Sequence, residues 1–252
     1  SLYSETYIKL QGDDLLEMTL ENLLKTALLP IGNTMYIYGG GWNEEDTGAG
    51  IEAMTIGVSP KWAEFAIKQY SSYNFKDYNY KQNKDYIHLG LDCSGYIGWL
   101  LYNIFQDKGY VDFSRKIANN LATENKGKVK KAKYITEYKA GDIMSGENVS
   151  HVWLSLGQCF DGSVVILHSS PAGVHISGTP TPKGAENSQA IKLANKYMSK
   201  YYPVWNKKYP VKPFDYLGKY SQFRWYDNVL YDKYNLKNMC ANMVLERIFE
   251  GK

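Results

Sequence analysis

The sequence predicts an α+β fold, and three observations carry that prediction. Helical periodicity dominates the N-terminal part of the chain. Period-2 alternation then appears twice in succession, over His151 to Leu156 and over Ser163 to His168, with the turn pair Asp161-Gly162 between them. Helical periodicity resumes afterwards. Helices set apart from a block of adjacent strands mark an α+β arrangement rather than alternating β-α-β units. With 252 residues, 44% of them hydrophobic and 22% charged, the chain can bury roughly three quarters of its unfolded surface and needs neither disulfide nor metal to fold. That composition excludes a disordered or collagen-like chain. No internal repeat and no linker rich in Gly, Ser or Pro divides it, so residues 1–252 are expected to form one domain.

The elements follow in order. Asp13 to Lys25 reads as a helix: Leu15, Leu16, Leu20, Leu23 and Leu24 trace one stripe behind two acids, and Pro30 follows soon after. Met35-Tyr36-Ile37-Tyr38 is a short aromatic segment running into the turn Gly39-Gly40-Gly41. Ser59-Pro60 starts a second helix, with serine as cap and proline at the first helical position. Tyr70 to Tyr86 is polar, aperiodic and rich in Tyr, Asn and Lys, and so reads as a surface loop. From Gly95 to Phe105 apolar residues run almost all round, the pattern of a buried helix. Residues 119–139 are basic and read as exposed. The two alternating segments form a hairpin, with Val152, Leu154 and Leu156 on one face and His151, Trp153 and Ser155 on the other. Ala185 to Tyr201 and Ala241 to Phe249 read as further amphipathic helices.

Charge and cysteine content narrow the function classes. The formal charge of +3 is close to balance, which argues against a dedicated nucleic-acid binder with a dominant basic face. Apolar runs such as Trp99-Leu100-Leu101-Tyr102 fall far short of the ~18 residues of a membrane span, so no integral membrane segment is expected. The opening Ser1-Leu2-Tyr3-Ser4 lacks a basic-then-apolar leader, as expected where a signal peptide is absent or removed. Three cysteines, Cys93, Cys159 and Cys240, cannot all pair within one chain. The 23 tyrosines against 8 phenylalanines fit broad amphipathic surfaces, where a ring packs and its hydroxyl meets water or a polar ligand. Compositional bias explains them equally well.

The chemistry concentrates at Asp92-Cys93-Ser94-Gly95. A thiol at a helix N-terminus meets unpaired N–H groups and the positive end of the helix dipole, and both favour the nucleophilic thiolate. Downstream, His151 begins one strand of the hairpin and His168 ends the other. Strand pairing brings the two towards each other near the sheet end, where one can serve as general base and the other can orient it.

Taken in order, Tyr36-Ile37-Tyr38-Gly39-Gly40, Asp92-Cys93-Ser94-Gly95, Gly141-Asp142-Ile143, His151-Val152-Trp153-Leu154-Ser155-Leu156-Gly157 and Leu167-His168-Ser169-Ser170 resemble the ordered motifs of the NlpC-type cysteine peptidases. These are papain-like bacterial cell-wall hydrolases. The resemblance implies a helical half carrying Cys93, packed on an antiparallel sheet carrying His151 and His168. It implies Cys93 as nucleophile, His151 as general base and His168 as the orienting residue, with Tyr36, Asp92 and Ser94 on the substrate side. Gly173-Val174-His175 resembles the segment that follows in the family, which makes His175 an ordinary strand residue without a catalytic part. The implied substrate is a peptidoglycan stem peptide, cut at the γ-D-glutamyl to diaminoacid bond by a secreted or cell-envelope enzyme that needs no cofactor. The pattern departs from the family in four places. Residues 42–91 intervene between the Gly-Gly turn and Asp92, Trp153 replaces a glycine, Met35 stands where proline is common, and residues 179–252 extend beyond the matched core of about 31–178. The insertion and the extension are expected to reshape the substrate cleft.

Other candidates rank lower. Cys159 and Cys240 read as packing thiols, although Cys240 also begins a helix. Asn43-Glu44-Glu45-Asp46 offers carboxylates for a hard cation but lacks the spacing of a calcium loop. A zinc reading of Cys93, His151 and His168 has no His-x-x-x-His or Cys-x-x-Cys pair behind it, and no metal is expected. Lys126, Lys128, Lys130, Lys131 and Lys133 read as a solvated face. Two functional alternatives stay open: a wall- or glycan-binding module on the same fold, and an amidase or acyltransferase acting on a non-wall substrate with the same residues. Oligomeric state is left open.

Overall fold

In a computed structural model, residues 17–252 are described. Asp13, Asp14, Leu15 and Leu16 of the expected first helix lie outside them. Its described part is α1 (Leu20–Leu28), where the Thr19 side chain accepts the Asn22 N–H as N-cap and Leu20, Leu23 and Leu24 are fully buried. In chain order there follow β1 (Met35–Tyr36), α2 (Pro60–Ile67), β2 (Gly90–Leu91), α3 (Cys93–Phe105), α4 (Ile117–Thr123), β3 (Gly127–Lys130) and β4 (Ile143–Gly146). Then come β5 (Val152–Gln158), β6 (Val164–Ser170), β7 (Gly173–Gly178), α5 (Gln189–Tyr201), α6 (Pro203–Lys208), β8 (Tyr220–Trp225) and α7 (Ala241–Glu250). The fold is α+β, as the periodicities predict.

All eight strands join one sheet in the order β2-β1-β7-β6-β5-β4-β8-β3. The expected hairpin is present, with Leu154 opposite Leu167 and Ser155 opposite Ile166. The sheet is mixed rather than purely antiparallel, because β2 pairs in parallel with β1. A further difference lies at the opposite edge. The lysine-rich stretch forms the edge strand β3 against β8, with Gly127 opposite Trp225, and Lys128 and Lys130 are exposed. Lysines on an edge strand discourage further strand addition, so the charge run protects a sheet edge. The residues beyond 178 also enter the sheet, since β8 lies between β4 and β3. Arg224 on β8 grips the buried Asp142 carboxylate bidentately, Nε to Oδ1 at 2.9 Å and Nη2 to Oδ2 at 2.8 Å.

Alternation along β5 sorts its side chains onto two buried faces. Val152, Leu154 and Leu156 join the main core with α1, α3 and α7, whereas Trp153 packs with Met144, Val164, Ile166 and Tyr220 on the other side. The helix α3 is apolar all round because it is covered all round: α1 and the short turn Glu52–Met54 pack on it, and so do β5 and β6. Its polar ring atoms find partners there, Trp99 Nε1–H donating to Gly57 O at 2.8 Å and Tyr96 O–H to Ala27 O at 2.5 Å.

The start of α3 is set by backbone-to-backbone contact. A Cβ on Gly95 would stand 1.9 Å from Gly40 O, and one on Gly40 would stand 2.3 Å from Gly90 O. Only glycine allows the turn over residues 39–41 to lie against the first turn of α3. Gly95→Ala must push the turn away from α3, at a cost of about 1–3 kcal/mol. At roughly 2–4 °C per kcal/mol for a domain of this size, thermal unfolding should show a lowered Tm. A variant melting within a degree of the parent would contradict the close approach.

Candidate active site

Cys93 is the first residue of α3, and Asp92 is its N-cap. The Asp92 carboxylate is almost fully buried and every one of its contacts is a donor: Gly95 N–H at 2.6 Å and Ser94 Oγ–H at 2.9 Å to Oδ1, and Gly39 N–H at 3.2 Å to Oδ2. Ser94 Oγ in turn accepts the Trp42 Nε1–H at 2.9 Å. Asp92 and Ser94 thus spend these hydrogen bonds on joining the glycine turn, the loop after it and the helix start. Burial raises the Asp92 pKa to about 6, despite the donors that pull it down.

The Cys93 side chain opens into a cleft of about 670 Å³. Tyr36, Tyr38, Trp42, Tyr80 and Phe113 supply aromatic walls, and Ser114, Arg115 and Ser150 supply polar groups. The stretch 70–86, expected to be a plain surface loop, builds part of this wall. Tyr80 is buried, stacks on Tyr38 at 5.9 Å and donates its O–H to Asp46. Behind the wall, Tyr73 O–H donates to Tyr36 O at 2.6 Å, and the Phe75 ring meets the Tyr36 ring edge-on at 5.1 Å. Tyr70 is exposed. The acidic loop is likewise engaged, Asp46 with Tyr80 and Glu44 with Lys84. Among the described residues no group of three His, Cys, Asp or Glu side chains is placed to hold a metal ion.

Three of the four histidines form one chain on the β5–β6–β7 surface. His151 Nε2 lies 3.0 Å from His168 Nδ1, His168 Nε2 lies 3.1 Å from His175 Nε2, and His175 Nδ1 lies 2.7 Å from Gly173 O. The sheet sets this geometry, because His168 and His175 are direct cross-strand partners on β6 and β7. Their neighbours Leu167, Val174 and Ile176 point into the main core, so the histidines share the opposite face. Phe214, Tyr216 and Tyr220 pack around them, and the Tyr216 hydroxyl lies 3.4 Å from His168 Nδ1. The fourth histidine, His88, pairs with the buried Glu52 at 2.6 Å, away from this chain.

Cys93 lies beside the start of β5, next to the residue that follows His151. The backbone N–H of Val152, the residue after His151, points at the Cys93 sulfur together with the N–H groups of Cys93 and Ser94. Tyr216 and Tyr220, which touch the His151 ring, also lie near Cys93. The sequence argument expected the helix start to favour thiolate. Burial does the opposite and, with the Asp92 charge beside it, pushes the thiol up to about 12 against the pull of those three N–H groups. Burial also lowers His151 and His175 to about 4 and His168 well below its ordinary value. At rest, therefore, the thiol and the three imidazoles are all neutral.

The structure thus places Cys93, Tyr36, Asp92 and Ser94 on one cleft, and joins His151 and His168 in a chain that begins one residue before Val152. It adds His175, which the sequence argument set aside as an ordinary strand residue. Cys159 is buried at the end of β5 and Cys240 caps α7, and both line a second pocket of about 360 Å³. No protein family, curated protein or solved structure matches this chain.

The neutral histidines make stability depend on pH. Unfolded, each takes up a proton near 6.5, whereas folded each stays neutral to about 4 or below. Between those values the unfolded state holds more protons, so stability falls as pH falls. Asp92 and Asp142, whose folded pKa values are raised, act in the opposite sense at lower pH. Three imidazoles outweigh two carboxyls, so acidification from pH 7 to pH 5 should remove on the order of 2 kcal/mol of stability. Urea midpoints at the two pH values measure this, and a midpoint that stays constant or rises at pH 5 would refute the neutral assignment.

Proposed function

We propose that the chain is a papain-like cysteine peptidase of the NlpC type that hydrolyses amide bonds in peptidoglycan stem peptides. One observation carries this reading: the thiol at the start of α3 opens into an aromatic-walled cleft and takes the N–H of Val152, the residue that follows the first member of a buried histidine chain. The motif order in the sequence supports the same assignment, and it also suggests a secreted or cell-envelope setting. A stem peptide cut between γ-D-glutamate and the diaminoacid is the substrate that the resemblance names.

The reaction follows from the neutral resting pair. The thiol sits high and the imidazole low, so no ion pair is preformed, and the proton passes from Cys93 Sγ to His151 only as the sulfur forms its bond to the amide carbonyl. The oxyanion that develops on the carbonyl oxygen takes the backbone N–H of Cys93, a donor fixed at the helix start. His151 then delivers its proton to the leaving amine as the C–N bond breaks, leaving a thioester. Water, deprotonated by His151, attacks the thioester, releases the carboxylic acid and restores the thiol. His168 holds the His151 ring, and Tyr36 faces the substrate across the cleft.

The aromatic walls also suit a non-catalytic wall-binding module, because stacked rings such as Tyr38 and Tyr80 present flat surfaces to a glycan. An amidase or acyltransferase with a non-wall substrate would use the same residues. Cys93→Ala separates these readings. Incubated with purified peptidoglycan and analysed by mass spectrometry, the parent should release stem-peptide fragments. The variant should release at least ~10³-fold less, while still sedimenting with the wall. Fragments released equally by both would exclude thiol catalysis, and sedimentation with no release by either would favour the binding module.

A further inference from the structure

We propose that His175 is a positioning residue that sets the tautomer of the general base through His168. This rests on the reading of Cys93 and His151 as nucleophile and base. The argument starts at the far end of the histidine chain. Gly173 O is a carbonyl and can only accept, so His175 Nδ1, 2.7 Å away, carries a proton. His175 is neutral, so its Nε2 holds a lone pair. That lone pair faces His168 Nε2 at 3.1 Å, and the shared hydrogen must come from His168. His168 is neutral as well, so its Nδ1 accepts. The hydrogen in the 3.0 Å contact then belongs to His151 Nε2. Tyr216 O–H, 3.4 Å from the same His168 Nδ1, is a second donor aimed at that acceptor. The only nitrogen of the chain left with a free lone pair is His151 Nδ1, the form a general base needs.

Without His175, nothing at the buried end of His168 selects its tautomer. His168 Nε2–H loses its acceptor, and the ring can protonate at Nδ1 instead. That form offers His151 a donor, so His151 gives up its Nε2 proton and protonates at Nδ1, which removes the base. The Gly173 carbonyl thus acts on Cys93 through three rings. It belongs to the same backbone segment that pairs with Met35 on β1, so the reference point is part of the sheet. Burial disfavours an added proton on His168 and His175, and the Lys212 charge adds to it, which keeps the chain neutral.

The test is a long-range proton–nitrogen correlation spectrum of the ¹⁵N-histidine-labelled chain at pH 7.5, for the parent, His175→Phe and His175→Gln. The parent should show His151 and His168 protonated at Nε2 and His175 protonated at Nδ1. His175→Phe keeps a ring and removes the acceptor, so it should show mixed tautomers at His151 and His168. Against peptidoglycan its kcat should fall about 10–100-fold with KM unchanged, by analogy with the loss of an outer hydrogen-bond partner behind a metal-bound histidine. His175→Gln restores an acceptor oxygen and should recover kcat to within about threefold and a single His151 tautomer. A parent His151 protonated at Nδ1 overturns the proposal. So does a folded His175→Phe with parental tautomers and kcat, and so does a His175→Gln variant no better than His175→Phe. The spectra need no substrate: an inactive parent with the expected tautomers would count against the peptidase reading alone, and an active parent without them would count against the relay alone.

Discussion

The Asp92 carboxylate is the interaction on which the candidate site depends. It is buried and accepts three donors from two segments at once: the N–H of Gly95 and the hydroxyl of Ser94 at the helix start, and the N–H of Gly39 in the glycine turn. Ser94 extends the network to the Trp42 indole in the insertion. A carboxylate buried in this way costs several kcal/mol unless its lone pairs are met, and each donor that meets them also fixes a wall or floor of the cleft. The close contact between Gly95 and the Gly40 carbonyl fixes the distance between those segments. Cys93 therefore stands on a rigid platform that its own side chain is not asked to hold together.

Electrostatics at this platform oppose the simplest reading of a helix N-terminus. A helix start stabilises an anion by about 0.3–1 kcal/mol when exposed and ~2 kcal/mol when partly buried. Burial of the thiol acts in the other direction, and the anionic cap Asp92 adds to it. The helix contribution loses, and the thiol stays protonated at rest. Charge can then develop on sulfur only as the proton leaves, which in the proposed reaction makes the state of the His151 lone pair decisive. A free thiolate would react with a carbonyl whichever tautomer the histidine adopted. A neutral thiol cannot, and for that reason a hydrogen-bond chain ending at a backbone carbonyl has chemical weight here.

What the sequence made legible, and what it hid, follows the range of the forces involved. Ser59-Pro60 and Asp92-Cys93 mark helix starts because capping acts over three or four residues. The β5–β6 hairpin was visible because period 2 is local. His175 was hidden because its role lies in cross-strand register, although a signal for it existed. Pro171-Ala172 leaves a two-residue connection from Ser170 to Gly173, and His168 and His175 stand two residues out from those ends on either side. A hairpin so closed must set them face to face. The edge strand β3 was missed because its lysines mask strand patterning, and nothing local shows that β8 lies beside it.

The insertion and the C-terminal stretch looked like additions to a core, and the packing gives them a larger part. Arg224 on β8 neutralises Asp142 at the head of β4, in a position reached from residues far beyond the five motifs. A buried aspartate without that partner would oppose folding by several kcal/mol, so the Gly-Asp motif of the core requires the C-terminal strand. Tyr216 and Tyr220 from the same stretch close over the His151 and His168 rings and hold water away from them. On the other side Tyr73, Phe75 and Tyr80 from the insertion support Tyr36 and Tyr38. The neutral state of the histidines is thus produced by residues outside the motif-bearing strands. The motif-bearing segments supply the thiol and the imidazoles, and the surrounding tyrosines help to bury the rings that burial keeps neutral.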